Sequence, residues 1–130
     1  MNRIDLDTKS SIELLDITDK VRICLEGIRS GICTVYTPHT TTAIVINENE
    51  SGLRSDIFAL LDKLVPGDGS YRHNRIDNNA HAHLRSLLLG PGVVIPVEDG
   101  DLMLGTWQRI FFVELDGPRR RRVYVKVIEG

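Results

Sequence analysis

The sequence predicts an α+β domain with a largely antiparallel sheet system. Helix-period stretches are interspersed through the first two-thirds of the chain, and from Val93 onward the pattern is purely of strand type. The late runs are separated by tight-turn residues, and the run Ile110-Phe-Phe-Val113 is apolar on both alternations. With 130 residues and no repeat or long linker, one domain spanning residues 1–130 is the simplest organisation.

The elements follow in order. Ile12 to Ile17 reads as a strand. Thr18 or Asp19 then caps a helix that carries Val21, Ile23, Leu25 and Ile28 and is closed by Gly31. The β-branched runs Ile32 to Val35 and Thr42 to Ile46 are strands on either side of a turn at His39. Ser51 to Leu64 carries Leu53, Ile57, Leu60, Leu61 and Leu64 on one helical face, and Pro66-Gly67 ends it. A polar loop, residues 67–78, leads to a third helix over about residues 79–89, which stops at Gly90-Pro91. Val93 to Val97 is a strand and Asp99-Gly100 a turn. The long runs from Gly105 to Leu115 and Val123 to Ile128, joined by Asp116-Gly117-Pro118, read as a hairpin. Strands this apolar on both sides need two covers, and a second subunit is the expected source of one of them.

Composition narrows the function. Sixteen basic and eighteen acidic residues leave a net charge of -2, so nucleic acid is not an expected partner. No apolar run approaches the ~20 residues that span a bilayer. Met1-Asn-Arg-Ile-Asp5 has no signal-peptide core, and a cytoplasmic protein is expected. Cys24 and Cys33 lack CxxC spacing and read as free thiols in apolar surroundings.

The polar groups that can do chemistry gather around strand ends. His39 follows Pro38 at a turn, with Thr40, Thr41 and Thr42 behind it. Their hydroxyls and the turn amides suit phosphate oxygens, or they are simply strand formers. His73 lies in the polar loop. His81 and His83 sit about 200° apart on the third helix and so cannot share one metal. Periodicity does not choose between them, although Asn79 shares a side with His83. A turn, a loop and a helix can together supply a facial three-histidine site for a divalent cation with one open position. Glu48 is a candidate base or orienter, while Asn47, Asn49 or Ser51 can cap the following helix. Trp107 and Gln108 would lie on opposite faces of a strand, an aromatic plate beside an amide. The run Arg119 to Arg122 is either a solvated turn or a clamp for pyrophosphate. No Walker loop, GxGxxG or HExxH is present, and no organic cofactor is expected.

Taken in order, Thr37-Pro-His-Thr-Thr41, Asn47-Glu48, Asp77, Asn79-Ala-His-Ala-His83, Leu88-Leu-Gly-Pro91, Gly100-Asp-Leu102 and Leu104-Gly-Thr-Trp-Gln108 resemble the YjbQ-like, secondary thiamine-phosphate synthase family over nearly the whole chain. The resemblance implies a compact α+β fold with a β-sandwich and two to three helices, assembled as a homotrimer. It maps the family's histidines onto His39, His73 and His83, with His81 at a variable position. Those three would hold a divalent metal, zinc or magnesium. His39, Glu48 and His83 would be catalytic. Thr40, Thr41, Asn79, Trp107, Gln108, Arg119 and Arg120 would bind a small phosphorylated substrate. The implied activity joins hydroxymethylpyrimidine diphosphate to a thiazole phosphate, giving thiamine phosphate and pyrophosphate. A non-enzymatic trimeric binder of metal or phosphorylated ligand and a metal-dependent hydrolase are the other readings.

Overall fold

In a computed structural model describing residues 1–130, eight strands form two antiparallel sheets, and two of the three helices cover one of them. The strands are β1 (Asn2–Asp7), β2 (Glu13–Asp16), β3 (Gly31–Tyr36), β4 (Thr42–Asn47), β5 (Gly92–Glu98), β6 (Asp101–Leu102), β7 (Arg109–Glu114) and β8 (Arg120–Glu129). The helices are α1 (Thr18–Ile23), α2 (Ser51–Leu64) and α3 (Ala80–Leu89). The large sheet runs β1-β8-β3-β5-β6 and the small one β2-β7-β4. The predicted α+β class holds.

The sheets meet through alternate side chains. Ile4, Leu6, Cys33, Val35, Ile95, Val97, Val123 and Val125 of the large sheet pack against Ile44, Ile110 and Phe112 of the small one. The opposite face of the small sheet, with Leu14, Ala43, Phe111 and Val113, packs against Leu61 of α2 and Ala82 of α3. The two-faced character of β7 is therefore real. Its second cover is the chain's own helices, however, and not the second subunit that the sequence pattern suggested.

Three further expectations change. First, β1 was not foreseen. It alternates Ile4 and Leu6 inward between charged residues and pairs with β8 from Asn2↔Val125 to Asp7↔Arg120. Second, α1 is only six residues long. Beyond Ile23 the amides of Cys24, Leu25 and Ile28 bond to carbonyls three residues back, so the helix tightens into successive turns before Gly27 takes φ 80°. Third, β7 and β8 are not a hairpin. β7 pairs with β2 and β4 in one sheet, β8 with β1 and β3 in the other, and residues 115–119 carry the chain between sheets. Gly117 is required there, because a Cβ would collide with the Ser10 carbonyl oxygen and stand 2.7 Å from Glu114 Cγ.

The crossover is anchored by a buried ion pair. Glu114, fully buried at the end of β7, accepts from Arg121 Nε at 2.8 Å and Nη2 at 2.6 Å. It also accepts from Thr8 Oγ1 (2.8 Å) and from the amides of Leu115 and Asp116 (3.1 Å each). Burial raises the Glu114 pKa, but Arg121, Thr8 and the Asp116 amide together outweigh it and hold the carboxyl below its ordinary value. Every oxygen is satisfied, which is the condition under which such a pair is tolerated inside a protein.

Removing one partner should leave an uncompensated buried charge. Glu114→Ala and Arg121→Met are each expected to lower stability by about 3–5 kcal/mol, read from urea denaturation midpoints and slopes. The double variant should lose clearly less than the two losses added; simple additivity would show that the pair is not coupled.

Candidate functional site

The turn between β3 and β4 is closed by its own threonines. Thr37 and Thr42 share a hydroxyl–hydroxyl bond of 2.7 Å, and the Thr37 hydroxyl lies 3.4 Å from the His39 amide. β-branched residues favour the two extended strands, and Pro38 fixes the backbone between them. His39 is thereby held over the large sheet, where its Nε2 accepts from the backbone N–H of Arg122 at 3.0 Å. The neutral ring consequently carries its proton on Nδ1. Burial depresses the His39 pKa, and the charges of Arg121 and Arg122 depress it further.

A second group of side chains is positioned by the start of α3. Asn79 is buried and spends its side chain on two long-range partners. Its Nδ2 donates to Asp116 Oδ2 at 2.9 Å, and its Oδ1 lies 3.0 Å from His73 Nε2. A carboxylate only accepts, so the amide orientation is fixed and His73 Nε2 must be the donor. Asp116 in turn accepts from Arg119 Nη2 at 3.0 Å. A continuous relay therefore runs Arg119–Asp116–Asn79–His73. His73 also packs edge-to-face on His83, with centroids 4.7 Å apart and planes at 76°.

These elements enclose a cleft of about 390 Å³, lined by His39, Thr40, Thr41, Asn79, His83 and Arg119 together with Pro38, Asp77, Asp116 and Arg121. None of its ten lining residues is hydrophobic. The His83 ring makes no hydrogen bond within the chain, whereas His39 and His73 each have Nε2 committed. His81 points elsewhere: its ring lies beside Gly67, where a Cβ would stand 3.6 Å from its Cδ2. His83 is thus the member of the pair that faces the cleft.

The proposed site residues divide into two groups. His39, Thr40, Thr41, Asn79, His83 and Arg119 share the cleft, with His73 at its edge. Arg120 stands on the opposite face of β8, 3.8 Å from Asp7, and lines a neighbouring hollow with His39 and Arg122. Glu48, Trp107 and Gln108 are at the other end of β4 and β7, beyond the Asn47↔Arg109 pair, about 17 Å along the strand from Thr42. Trp107 is 71% exposed and precedes β7 instead of lying within it. Gln108 uses its Oε1 on the Gly105 amide at 2.8 Å, and Glu50, not an Asn or Ser, caps α2.

Of the three histidines expected to hold a metal, His39 has its Nε2 on the Arg122 amide and His73 its Nε2 on Asn79, while the His83 ring is uncommitted. Ligation of His39 through Nε2 would cost the Arg122 bond, and through Nδ1 would require the other tautomer. Glu114, Asp116, Arg121 and Arg122 complete the site; the sequence marked the two arginines only as part of the run Arg119 to Arg122, Asp116 only as a turn residue, and Glu114 not at all. One signal was present: Glu114 interrupts an apolar strand, and an acid there demands a buried partner.

The fold and this cleft define a class: α-layered antiparallel sandwiches with a histidine- and arginine-lined polar cleft at one end of the small sheet. The chain belongs to the YjbQ-like family, since the family model described as UPF0047 protein YjbQ-like matches residues 2–130. It is 57% identical over 125 residues to a UPF0047 protein of Archaeoglobus fulgidus, covering 96% of this chain and 98% of that one. It is 38% identical over 132 residues to UPF0047 protein YugU of Bacillus subtilis, covering 98% of each. The crystal structure of a YbjQ-like protein from Sulfolobus solfataricus P2 superposes with a TM-score of 0.96 at 45% identity, covering 99% of this chain and 96% of that one. A hypothetical protein from Aeropyrum pernix K1 gives 0.95 at 43%, covering 99% and 98%.

Because the folded-state pKa of His39 lies below its ordinary 6.5, the unfolded chain binds this proton more readily. The stability His39 contributes is complete above about pH 6.5 and is lost as pH falls below it. Urea midpoints should therefore fall between pH 7 and pH 5, and fall less in His39→Gln, whose side-chain carbonyl can still accept from Arg122. Glu114 titrates below its ordinary 4.5, outside this window. Equal slopes in the two proteins would remove His39 from the account.

Proposed function

We propose that this chain binds a small phosphorylated molecule in the polar cleft and acts there as a transferase of the thiamine-phosphate synthase type. The observation that carries the reading is the cleft itself. It presents the Arg119 guanidinium, the Nδ1–H of a neutral His39 and the Thr40 hydroxyl in a hollow with no apolar wall. Donors fixed in advance are suited to charge that develops on a leaving diphosphate. The family resemblance supplies the reaction.

In that reaction the thiazole nitrogen attacks the methylene carbon of the pyrimidine diphosphate. A C–N bond forms, the C–O bond to the diphosphate breaks, and its electron pair leaves with pyrophosphate. Arg119 and His39 stabilise the departing oxygens, with Asp116, Asn79 and His73 holding Arg119 in place. His83, with both ring nitrogens uncommitted, is the proton donor to the leaving group. Asp77 and Asp116, both lining the cleft, would hold a divalent cation such as magnesium, which would neutralise charge on the diphosphate. The hydrolase reading has less support, because it needs three imidazoles open to a metal, and His39 and His73 spend Nε2 on Arg122 and Asn79. Glu48, Trp107 and Gln108 have no part in a site built within one chain.

The test is to incubate the protein with both precursors and detect thiamine phosphate. Arg119→Met and His83→Gln are each expected to reduce the rate by about 10²-fold. A wild-type rate equal to the protein-free control would sink the transferase reading and leave a binding protein.

A trimer is proposed on separate grounds. Ile32, Val94 and Ile128, on the adjoining strands β3, β5 and β8, are 46%, 66% and 53% exposed on the outer face of the large sheet. A patch of this kind on a sheet with no covering layer suits a second copy of the same chain. Light scattering should give three times the 14.6 kDa chain mass, and Ile32→Asp with Val94→Asp should reduce it to one. A monomer mass for the wild type would exclude this assembly.

A further inference from the structure

We infer that the substrate's ring does not lie on Trp107 but in a second hollow that shares His83 with the polar cleft, walled by Tyr71, His73, Ala80 and Leu84. This rests on the phosphate-binding reading above and adds the part of the ligand that the cleft cannot hold. A wholly polar hollow offers nothing to a planar ring, so the ring must leave it through a wall. Trp107 cannot supply that wall within this chain, being at the far end of β4 and β7.

The second hollow, of about 480 Å³, adjoins the cleft at His83 and is lined mainly by apolar atoms. Its walls are fixed before any ligand arrives. The Tyr71 hydroxyl donates to the Pro66 carbonyl at 2.7 Å, and His73 is held by Asn79 and by the edge of His83. Aromatic walls with settled rotamers take a flat ring at small entropic cost. A rival hollow also touches His83, lined by Tyr36, Pro38, Leu87 and Pro91. Its aromatic residue, Tyr36, is half exposed and makes no side-chain hydrogen bond. The geometry therefore selects the Tyr71 side. The ligand class is a planar heteroaromatic ring joined to a phosphate or diphosphate through a short linker, with His83 at the junction of the two parts.

Calorimetric titration with methyl diphosphate and benzyl diphosphate separates the two parts. Benzyl diphosphate should bind the wild type about ten-fold more tightly than methyl diphosphate. Leu84→Ser, at a partly exposed helix position, should abolish that advantage while leaving methyl diphosphate affinity unchanged; Leu87→Ser should leave both intact. Equal binding of the two ligands to the wild type would overturn the ring site while the phosphate reading stands. Loss of the advantage in Leu87→Ser and not in Leu84→Ser would overturn it in favour of the rival hollow. Failure of both ligands to bind would remove the phosphate reading, and this inference with it.

Discussion

The fully satisfied pair of Glu114 and Arg121 is the interaction on which the rest of the structure depends. It joins the last residue of β7 in the small sheet to β8 in the large one, and it recruits Thr8 from behind β1 and Thr41 from the His39 turn. A charged pair in this position contributes little net stability when intact. Its effect is on geometry, because any shift of one sheet over the other would leave a buried charge unpaired. The crossover of residues 115–119 is therefore held in one conformation, and that conformation places Asp116 and Arg119 at the cleft.

The site inherits this order. Asp116 is anchored through its amide to Glu114, Arg119 through its amide to Thr8, and Thr41 through its hydroxyl to Arg121. The polar cleft is thus built directly on the buried pair, with one layer of hydrogen bonds between them. The same bonds assign protons: the Arg122 amide makes His39 an Nδ1–H donor, and Asn79 makes His73 an Nε2–H donor. Two of the three histidines are hydrogen-bonding groups of set direction, which leaves His83 free to exchange a proton.

Layering decides what remains exposed. The small sheet is sealed by α2 and α3 on one side and by the large sheet on the other. The large sheet has only one cover, and its outer strands show Ile32, Val94 and Ile128 to solvent. Sequence pattern assigned an extra cover to β7, the strand whose apolar residues are most continuous, and helices of the same chain supply it. The apolar residues left exposed lie on strands that alternate and so attracted no notice.

By itself the sequence determined the α+β class, the residue types gathered at the His39 turn and the local elements other than β1 and the extent of α1. Those follow from short-range causes: β-branching, helical period, and Pro and Gly positions. It also supplied, through ordered motifs, the family and the choice of His83 over His81. Only the tertiary structure decided that β7 and β8 belong to different sheets, since Asp116-Gly117-Pro118 is equally suited to a hairpin and to a crossover. Only the tertiary structure divided the site residues, for Glu48, Trp107 and Gln108 are near His39 along the pattern of motifs yet a strand's length away in space. Proton placement was likewise beyond the sequence, because it depends on amides from Arg122 and a side chain from Asn79 that reach the histidine rings only after the sheets have packed.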